Sequence, residues 1–416
     1  MADVPVLKDD CFALPSGAHW TPVEDALAHL RAAVDVVVGT EQVETAGAGG
    51  RVLAVDAIAM RSNPPYANAA VDGYGFAFAS YTETLPLVEG RSAAGAPFDG
   101  EVPAGFAIRI LTGAKLPLGV DTVVMQEDVA LKDDKVHFSQ GLKSGANCRK
   151  AGEDVLQGQP AVKAGKKISA AEIALMAALN IPSIQVYKKL RVGVLSTGDE
   201  IRQLGEAAEP HQIYDANRPM LLEMLRKWGC DAVDLGHAKD DRQAVVLALD
   251  SAAKRCDSIL TSGGASAGDE DHLSAVLSES GNLNLWRIAL KPGRPLALGM
   301  WRGVPVFGLP GNPVAAFVTT LVFAHPTLLK MQGAGWQLPR AILLPAAFEK
   351  TKKAGRREYL RARINVDGRV EKFASEGSGR ISGLSWADGL VELPDQAMQI
   401  KKGDPVRYYP FSAFGI

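Results

Sequence analysis

The alternation of apolar strands with helix signals over residues 190–329 constrains the fold of this chain more than any other sequence feature. Strands joined through helices pack those helices on the faces of one sheet, with right-handed crossovers. We therefore predict a mostly parallel, doubly wound sheet. The predicted strands are 191–196, 232–236, 258–262, 284–290, 295–301 and 304–308, and the predicted helices are 218–228, 241–255, 271–279 and 313–330.

The loops that follow these strands are rich in glycine and charge. Residues 262–271 are Ser-Gly-Gly-Ala-Ser-Ala-Gly-Asp-Glu-Asp, and residues 291–295 are Lys-Pro-Gly-Arg-Pro. In an open α/β sheet, ligands bind at the carboxyl ends of the strands, where these loops lie. The glycine loop matches neither the P-loop nor the dinucleotide fingerprint, so neither a P-loop kinase nor a dinucleotide oxidoreductase is supported.

Three acids, Glu200, Asp240 and Asp271, each follow one of three successive predicted strands. A single acid at a helix start usually caps the helix or interacts with its dipole. Three acids at neighbouring strand ends favour Mg²⁺, which prefers a few carboxylates together with substrate phosphates.

Basic groups are predicted at the same sheet edge. Lys291 and Arg294 favour phosphate or another oxyanion. Gly311, Asn312 and Pro313 begin an apolar helix, with Asn312 at the N-cap. This start is either a structural cap or an anion site, and the neighbouring cations favour the anion site. Acid and base on one edge fit a metal-assisted phosphoryl or anhydride reaction.

The remaining chain contains two capping boxes and two β-rich regions. Residues 21–24 and 169–172 predict helices that run to about Val36 and over 170–179. Residues 75–150, and the chain from about 333 onward, have short alternating segments without a helical period, which predicts β domains.

Composition and charge exclude several classes of protein. The 416 residues carry a net charge of −2, so no basic field exists to hold nucleic acid. The four cysteines lack paired spacing, which is typical of a reducing cytoplasm. The N-terminus has no signal-peptide pattern, and polar residues interrupt the apolar run 313–329, which predicts a buried helix. We expect a cytoplasmic protein with no membrane or nucleic-acid partner.

Several motifs, in order along nearly the whole chain, resemble the molybdopterin molybdenumtransferase family, the molybdenum-inserting enzymes of molybdenum cofactor synthesis. Their number and order argue against coincidence. The matching segments are Asn68-x-Ala-x-Asp-Gly-Tyr74, Leu111-Thr-Gly-Ala114, Gly152-Glu-Asp154, Gly198-Asp-Glu200, Gln212-Ile-Tyr-Asp-x-Asn217, Ser262-Gly-Gly-x-Ser-x-Gly268, Lys291-Pro-Gly-Arg-Pro295 and Gly308-Leu-Pro-Gly-Asn-Pro313.

The resemblance implies four domains in an elongated homodimer. The implied domains are an N-terminal α+β linking domain (1–62 and 152–188), an inserted all-β domain (63–151), the α/β molybdopterin-binding domain (189–331) and a C-terminal β-barrel-like domain (332–416). In that family the β domain faces the α/β domain of the other subunit. Asp72, which taken alone is an ordinary turn aspartate, would then reach the ligand cleft in trans.

The resemblance also implies the reaction, which is insertion of molybdenum from molybdate into adenylylated molybdopterin, with Mg²⁺-dependent hydrolysis of the adenylate and release of AMP. The implied catalytic residues are Asp72, Glu200, Asp240, Asp271 and Lys291, of which Glu200, Asp240 and Asp271 would bind the metal. The implied substrate-binding residues are Thr112, Ser196, Thr197, Gly198, Gly263, Gly264, Ser266, Gly268, Arg287, Pro292, Gly293, Arg294, Pro310, Gly311, Asn312 and Pro313, with Arg356, Arg361 and Ser378 as molybdate donors. Molybdopterin adenylyltransferase and apo-molybdoenzymes are the implied partners.

The chain departs from the family pattern at a few positions. Ala67, Ala69 and Ala216 replace acid or hydroxyl residues, which removes donors near the cleft, and Arg287 stands where lysine is usual. Two alternatives stay open. The same α/β fold also serves the preceding adenylylation of molybdopterin, and fusion relatives in animals also act as scaffolds.

Overall fold

A computed structural model describes residues 20–263, 272–279, 283–293 and 295–416. Its helices begin and end close to the predicted positions. The α-helices are α1 Val23–Ala33, α2 Ala170–Ala178, α3 Asn217–Lys227, α4 Arg242–Ala253, α5 His272–Glu279, α6 Pro313–Thr319, α7 His325–Met331 and α8 Ser382–Trp386. A π-helical turn, Thr320–Ala324, joins α6 to α7, and short 3₁₀ turns lie at Thr45–Gly47, Phe78–Ser80, Gln126–Asp128 and Phe411–Phe414.

The strands of the first half of the chain are β1 Thr40–Glu44, β2 Ala57–Ile58, β3 Asn68–Ala69, β4 Gly73–Phe76, β5 Thr84–Ser92, β6 Ala107–Ile110, β7 Thr122–Met125, β8 Val129–Lys132, β9 Lys135–Phe138, β10 Cys148–Arg149, β11 Pro160–Val162 and β12 Ser183–Tyr187. Those of the second half are β13 Arg191–Thr197, β14 Ile201–Arg202, β15 Ile213–Tyr214, β16 Asp231–Ala238, β17 Ser258–Ser262, β18 Leu283–Arg287, β19 Leu290–Lys291, β20 Pro295–Trp301, β21 Val304–Leu309, β22 Ile342–Pro345, β23 Lys350–Lys352, β24 Arg357–Ile364, β25 Val370–Lys372, β26 Gly389–Leu393, β27 Met398–Ile400 and β28 Pro405–Pro410.

The described chain forms two compact units. The first contains the residues up to Glu41, with Gly50–Val52 and Tyr187–Ile416, and the second contains Gln42–Gly49 and Leu53–Val186. Four domains were predicted from the resemblance, and their boundaries stay a prediction because the division into compact units is coarser.

The first unit contains the predicted doubly wound sheet, which is confirmed. Its strand order is β16-β13-β17-β21-β20-β18. The first four strands pair in parallel, and β20 and β18 add an antiparallel edge. Alternate residues face opposite layers, since Ile259 packs with α4 and α5 whereas Leu260 packs with α3 and α6. Helices therefore cover both faces.

The apolar stretch from Pro313 to Met331 is a buried core helix, as predicted. It is long and apolar enough to cross a membrane, but 94% of its most apolar window is buried inside the protein. Its hydroxyls are satisfied within the helix, because Thr319 donates to the Ala315 carbonyl and Thr327 to the Phe323 carbonyl, each at 2.7 Å.

A second sheet of this unit, in the order β19-β24-β26-β28-β22, confirms the predicted C-terminal β structure. A turn at Asp367 and Gly368 connects β24 to β25, and Gly368 has a φ of 73° that favours glycine. Strand β19 belongs to the α/β segment, yet it pairs in parallel with β24 through Lys291 and Glu358. This pairing joins the two sheets next to a predicted catalytic lysine.

The second unit contains the predicted β structure of residues 75–150. Its main sheet has the order β7-β4-β6-β5-β9-β8. The backbone of β7 lies so close to Gly73 in β4 that only glycine fits, because a Cβ at position 73 would lie 1.9 Å from the Val124 carbonyl oxygen. A separate apolar cluster surrounds α2, in which Met176 of the helix and Leu179 just after its end are fully buried.

The two capping boxes have different outcomes. The box at Ser169 is present, because its side chain accepts from the Ala171 amide while Glu172 accepts from the Ser169 amide at 2.8 Å. The box at Thr21 is absent, and α1 begins after Pro22 and ends at Ala33 rather than Val36. The reason is tertiary, because the Thr21 carbonyl accepts from Ala289 and Thr21 bridges to Ile288.

We predict that Ser169→Ala lowers the unfolding free energy by about 1 kcal/mol at pH 7, the usual cost of losing such a cap. Hydrogen bonds from the Ser169 side chain and then its backbone lower the pKa of Glu172 from 4.5 to about 2. A lowered carboxyl pKa stabilises the fold above pH 4.5, and this stabilisation is lost as the pH falls through about 2.

Urea unfolding at pH 7 and at acid pH measures the effect, with Ser144→Ala as the control. Ser144 is an exposed serine in the same unit. Equal unfolding free energies for the two variants at pH 7 would show that the capping box does not stabilise α2.

Candidate functional site

Three loops meet at the carboxyl edge of the parallel sheet. Strands β13 and β17 lie in register, with Ser196 opposite Ser262, and Thr197 lies opposite Ala238 of β16. Gly263 has a φ of 95°, and a Cβ there would lie 2.8 Å from the Thr197 carbonyl oxygen. Backbone contact between these loops therefore requires glycine at position 263.

Two of the three predicted metal-binding acids lie at this edge. Glu200 is exposed, and its carboxylate folds over Gly198 so closely that a Cβ there would lie 2.5 Å from Oε2. Asp199, which the sequence analysis did not single out, accepts from the Asp240 amide at 3.1 Å. The Gly198 carbonyl contacts the His237 ring at 2.7 Å. The loops after β13 and β16 are thus connected by their own polar groups.

The metal assignment itself stays a prediction. Asp271 lies outside the described residues, so the third acid is not placed. Within the described ranges, no group of three or more histidine, cysteine or acidic side chains is arranged to hold a metal ion.

A buried polar network supports the loops from below. Asp215 is 8% exposed and accepts from the Ser196 hydroxyl at 2.6 Å and from Arg218 Nε at 2.9 Å. Asn217 donates to Ser262 Oγ and to the Gly311 carbonyl, both at 2.7 Å. In the sequence these residues belong to the segment 212–217, which indicates a family motif before a helix but not this network.

This network changes the interpretation of Ser196. It was predicted to bind substrate, but it is 1% exposed and donates to Asp215. Thr197 is 7% exposed and lies against Gly263. Both side chains support the edge from within the sheet.

Ala216, at the N-cap of α3, makes no side-chain cap, and Asp215 instead accepts from the Arg218 amide at 3.0 Å.

The helix start at 311–313 lies close to Gly263, because a Cβ on Gly311 would be 4.0 Å from the Gly263 Cα, but it offers few free amides. Asn312 occupies the N-cap position without making a side-chain cap, and Pro313 has no N–H. The Val314 amide donates to the Ser378 carbonyl at 3.1 Å. Gly311 and Asn312 are exposed, whereas Pro310 is buried. An anion here would depend mainly on side-chain cations.

Lys291 is paired within the protein, and its predicted role toward phosphate stays a prediction. Its Nζ donates to Glu376 at 2.7 Å and lies 3.6 Å from Glu358. Lys350 lies 3.1 Å from Glu358 and also binds Glu376. Two lysines and two glutamates therefore form a closed cluster, which we call the lysine–glutamate cluster. Pro292 beside it is buried, and a Cβ on Gly293 would lie 2.8 Å from Thr319 Cγ2.

The cluster stabilises ionised Glu376. Burial opposes ionisation, but the hydrogen bonds from Lys291 and Lys350 outweigh it and lower the pKa of Glu376 from 4.5 to about 2. The same carboxylates raise the pKa of Lys350 despite its burial. An incoming oxyanion must therefore compete with Glu376 for Lys291.

The predicted molybdate donors of the C-terminal segment have different environments. Arg361 is 4% exposed and donates to the carbonyls of Ser375, Gly377 and Arg380, so it holds the 375–380 loop. Burial lowers the pKa of Arg361, and the nearby Arg380 charge lowers it further. Ser378 and Arg356 are half-buried. Arg380, which the sequence analysis missed, is the exposed cation of this loop.

Asp72 and Thr112 come together in the second unit, although 40 residues separate them. Asp72 Oδ1 accepts from both the amide and the hydroxyl of Thr112 at 2.7 Å. The Thr112 side chain and then its backbone lower the pKa of Asp72. Arg109 stacks on Tyr74 at 5.1 Å and donates to the Gly73 carbonyl beside them. Sequence motifs 40 residues apart thus form one polar patch.

Some predicted site residues are not placed by the structure. Gly264, Ser266, Gly268, Asp271 and Arg294 lie outside the described residues. Arg287 ends β18 opposite Pro295, and only its backbone is described.

Taken together, the fold and the edge define a multidomain α/β protein of the class that binds ligands at the carboxyl ends of parallel strands. Residues 21–180 match the MoeA N-terminal region (domain I and II), 193–330 a probable molybdopterin binding domain, and 344–411 the MoeA C-terminal region (domain IV). The chain belongs to the molybdopterin molybdenumtransferase family. The predictions of the fold class and of a transferase of molybdenum cofactor biosynthesis are confirmed at the level of that family.

Individual relatives cover almost the whole chain. A molybdopterin molybdenumtransferase of Haemophilus influenzae is 36% identical over 90% of this chain and 94% of its own length. One from Nostoc is 30% identical over 88% of each chain. The crystal structure of a molybdopterin biosynthesis MoeA protein from Pyrococcus horikoshii is 27% identical, with a TM-score of 0.81, and covers 94% of this chain and 100% of its own.

We predict that Glu376→Gln destabilises the protein by about 2 kcal/mol at pH 7, between the values for exposed and buried ion pairs. Two lysines would then share the single carboxylate of Glu358. Since the pKa of Glu376 is lowered, its contribution exists above pH 4.5 and is lost as the pH falls through about 2.

Urea unfolding at pH 7 and pH 3 measures the difference. Glu371→Gln is the control, because Glu371 pairs with Arg363 at the surface of the same segment. The control substitution should lower the unfolding free energy by less than about 1 kcal/mol at both pH values. A Glu376 effect no larger than the Glu371 effect would contradict a stabilising cluster.

Proposed function

We propose that this enzyme inserts molybdenum from molybdate into adenylylated molybdopterin, with Mg²⁺-dependent hydrolysis of the adenylate and release of AMP. The observation that carries the proposal is the 36% identity to a molybdopterin molybdenumtransferase over 94% of that protein. The carboxylates of Glu200 and Asp240 at the sheet edge support it. The lysine–glutamate cluster also supports it, because its Glu376 lies in the loop whose Ser378 carbonyl accepts from the Val314 amide of the helix start.

The donors at the edge fit Mg²⁺, which prefers oxygen ligands and shares its coordination with substrate phosphates. Glu200 and Asp240, with Asp199 beside them, would hold the ion. Bound there, it would neutralise negative charge on the phosphoanhydride.

The chain's own residues orient the substrates. Lys291 would exchange Glu376 for an oxygen of the pterin phosphate or of molybdate, which places a cation where negative charge develops. Water would attack the adenylate phosphorus and break its bond to the pterin phosphate oxygen, so that AMP leaves. If a molybdate oxygen attacks instead, AMP leaves with that oxygen when the Mo–O bond breaks as molybdenum is transferred to the pterin. Arg380 and Ser378 lie on the loop beside the helix start and could contact the oxyanion.

We also propose that the protein acts as a cytoplasmic homodimer. It would receive its substrate from molybdopterin adenylyltransferase and transfer the product to apo-molybdoenzymes. The Asp72–Thr112 pair would complete the cleft of the partner subunit.

Purified protein mixed with adenylylated molybdopterin, molybdate and Mg²⁺ should release AMP, and we expect Lys291→Ala to slow this at least about tenfold. AMP production is measured chromatographically. The matched control, Lys254→Ala, removes a cation at the C-terminal end of α4. No molybdate-dependent AMP release would refute the proposal, and turnover of molybdopterin with ATP would indicate the adenylylation step instead.

Mixing Asp72→Ala with Lys291→Ala tests whether the cleft forms in trans. In a random mixture, half of the dimers are mixed, and each mixed dimer has one site with both residues intact, so about a quarter of wild-type activity should return. A cleft completed in cis would give no recovery. The activity is measured after the subunits have been exchanged and compared with each variant alone.

A further inference from the structure

A cavity of about 680 Å³ in the first unit is not part of the candidate site. It lies between α1, the end of the buried helix and the C-terminal sheet. Ligand sites of small organic molecules commonly have volumes of about 300–1,000 Å³ and mostly apolar walls with a few polar groups. Its apolar walls are formed by Leu27, Trp336, Leu338, Tyr359, Tyr409 and Phe414.

Strand β24 separates this cavity from the lysine–glutamate cluster. Arg357 and Tyr359 line the cavity, whereas Glu358 between them pairs with Lys291 and Lys350. Successive side chains of a strand point to opposite faces. None of the predicted site residues that the structure describes lines the cavity, so a ligand here would bind at a second site.

The cavity lining has more positive than negative charge. Its four cations are Arg31, Lys330, Arg357 and Arg407, and its two acids are Glu24 and Glu392. The acids are engaged with two of these cations, Glu24 with Arg357 and Glu392 with Arg407.

The other two cations, Arg31 and Lys330, make no ion pair with these two acids. Lys330 Nζ donates to the Arg31 carbonyl at 2.7 Å and lies 3.3 Å from Asp35, whose side chain is 92% exposed. No acid in the described part of the chain pairs with the Arg31 guanidinium. One side of the opening therefore presents a positive charge available to a ligand.

Within the described ranges, Arg357 has a hydrogen-bond donor without a partner inside the cavity. Its side chain is 12% exposed, and among the described residues its Nε has no hydrogen-bond partner. A buried donor without an acceptor is costly, so an acceptor atom on a bound ligand would be stabilising.

We propose that this cavity binds a compact aromatic organic anion. Its rings would pack against Trp336, Leu338 and Tyr409, its anionic group would face Arg31 and Lys330, and an acceptor atom would reach Arg357. Charge and shape both favour this class, since an uncharged ligand would make no ion pair with Arg31 and an inorganic anion would leave the apolar walls exposed.

The test uses 1-anilinonaphthalene-8-sulfonate, an aromatic anion, and N-phenyl-1-naphthylamine, the same ring system without the sulfonate. Wild-type protein should bind one sulfonate probe saturably, measured by fluorescence titration. Ala28→Trp places an indole at the cavity from an exposed position of α1, which reduces the space for the probe and should weaken this binding. Ala33→Trp, at the exposed end of the same helix and outside the cavity, is the matched control and should bind normally.

Charge recognition is tested separately with Arg31→Ala. We expect this substitution to weaken the affinity for the sulfonate probe about threefold, a typical effect of one exposed charge. The affinity for the uncharged probe should not change. Arg226→Ala on the exposed surface of α3 is its control. Equal binding by the Ala28→Trp and Ala33→Trp variants, or equal affinity of both probes for wild type, would overturn the proposal.

Discussion

The pairing of Leu290 and Lys291 with Arg357 and Glu358 is the interaction on which the functional part of the structure depends. A strand of only two residues joins the α/β sheet to the C-terminal sheet. Because side chains alternate along β24, the pairing brings Glu358 to Lys291 on one side and directs Arg357 and Tyr359 into a cavity on the other. Both the candidate site and the second cavity follow from this register.

The carboxyl edge of the sheet is maintained by buried polar residues rather than by apolar packing alone. Asp215 accepts from Ser196 and Arg218, and Asn217 connects Ser262 to the Gly311 carbonyl. These bonds join the ends of two strands to the start of a third loop. Buried hydrogen bonds are directional, so they fix loop positions more narrowly than apolar contacts do. A phosphorylated ligand would therefore meet a preorganised surface.

The 375–380 loop is held in the same way. Arg361 donates to three of its carbonyls, and the Ser378 carbonyl receives the Val314 amide of the helix start. Glu376, within this loop, binds both lysines of the cluster. The position of Lys291 is thus determined by residues about 60 to 85 positions further along the chain. The carboxylate of Glu376 occupies the position beside two ammonium groups that an oxyanion would take.

The sequence alone determined the elements and much of the chemistry. Strand 258–262 and the hairpin near 295–308 were predicted from apolar runs between glycine and proline, because local hydrophobic patterning reflects burial directly. The acids and cations at the strand ends followed from topology, since parallel strands bring their carboxyl ends to one edge.

Only the tertiary structure decided which of these groups are available. Lys291, Ser196 and Arg361 have the right chemistry in sequence, but partners distant in the chain engage each of them. Long-range pairing of this kind depends on how sheets and loops pack, which leaves no local pattern to recognise.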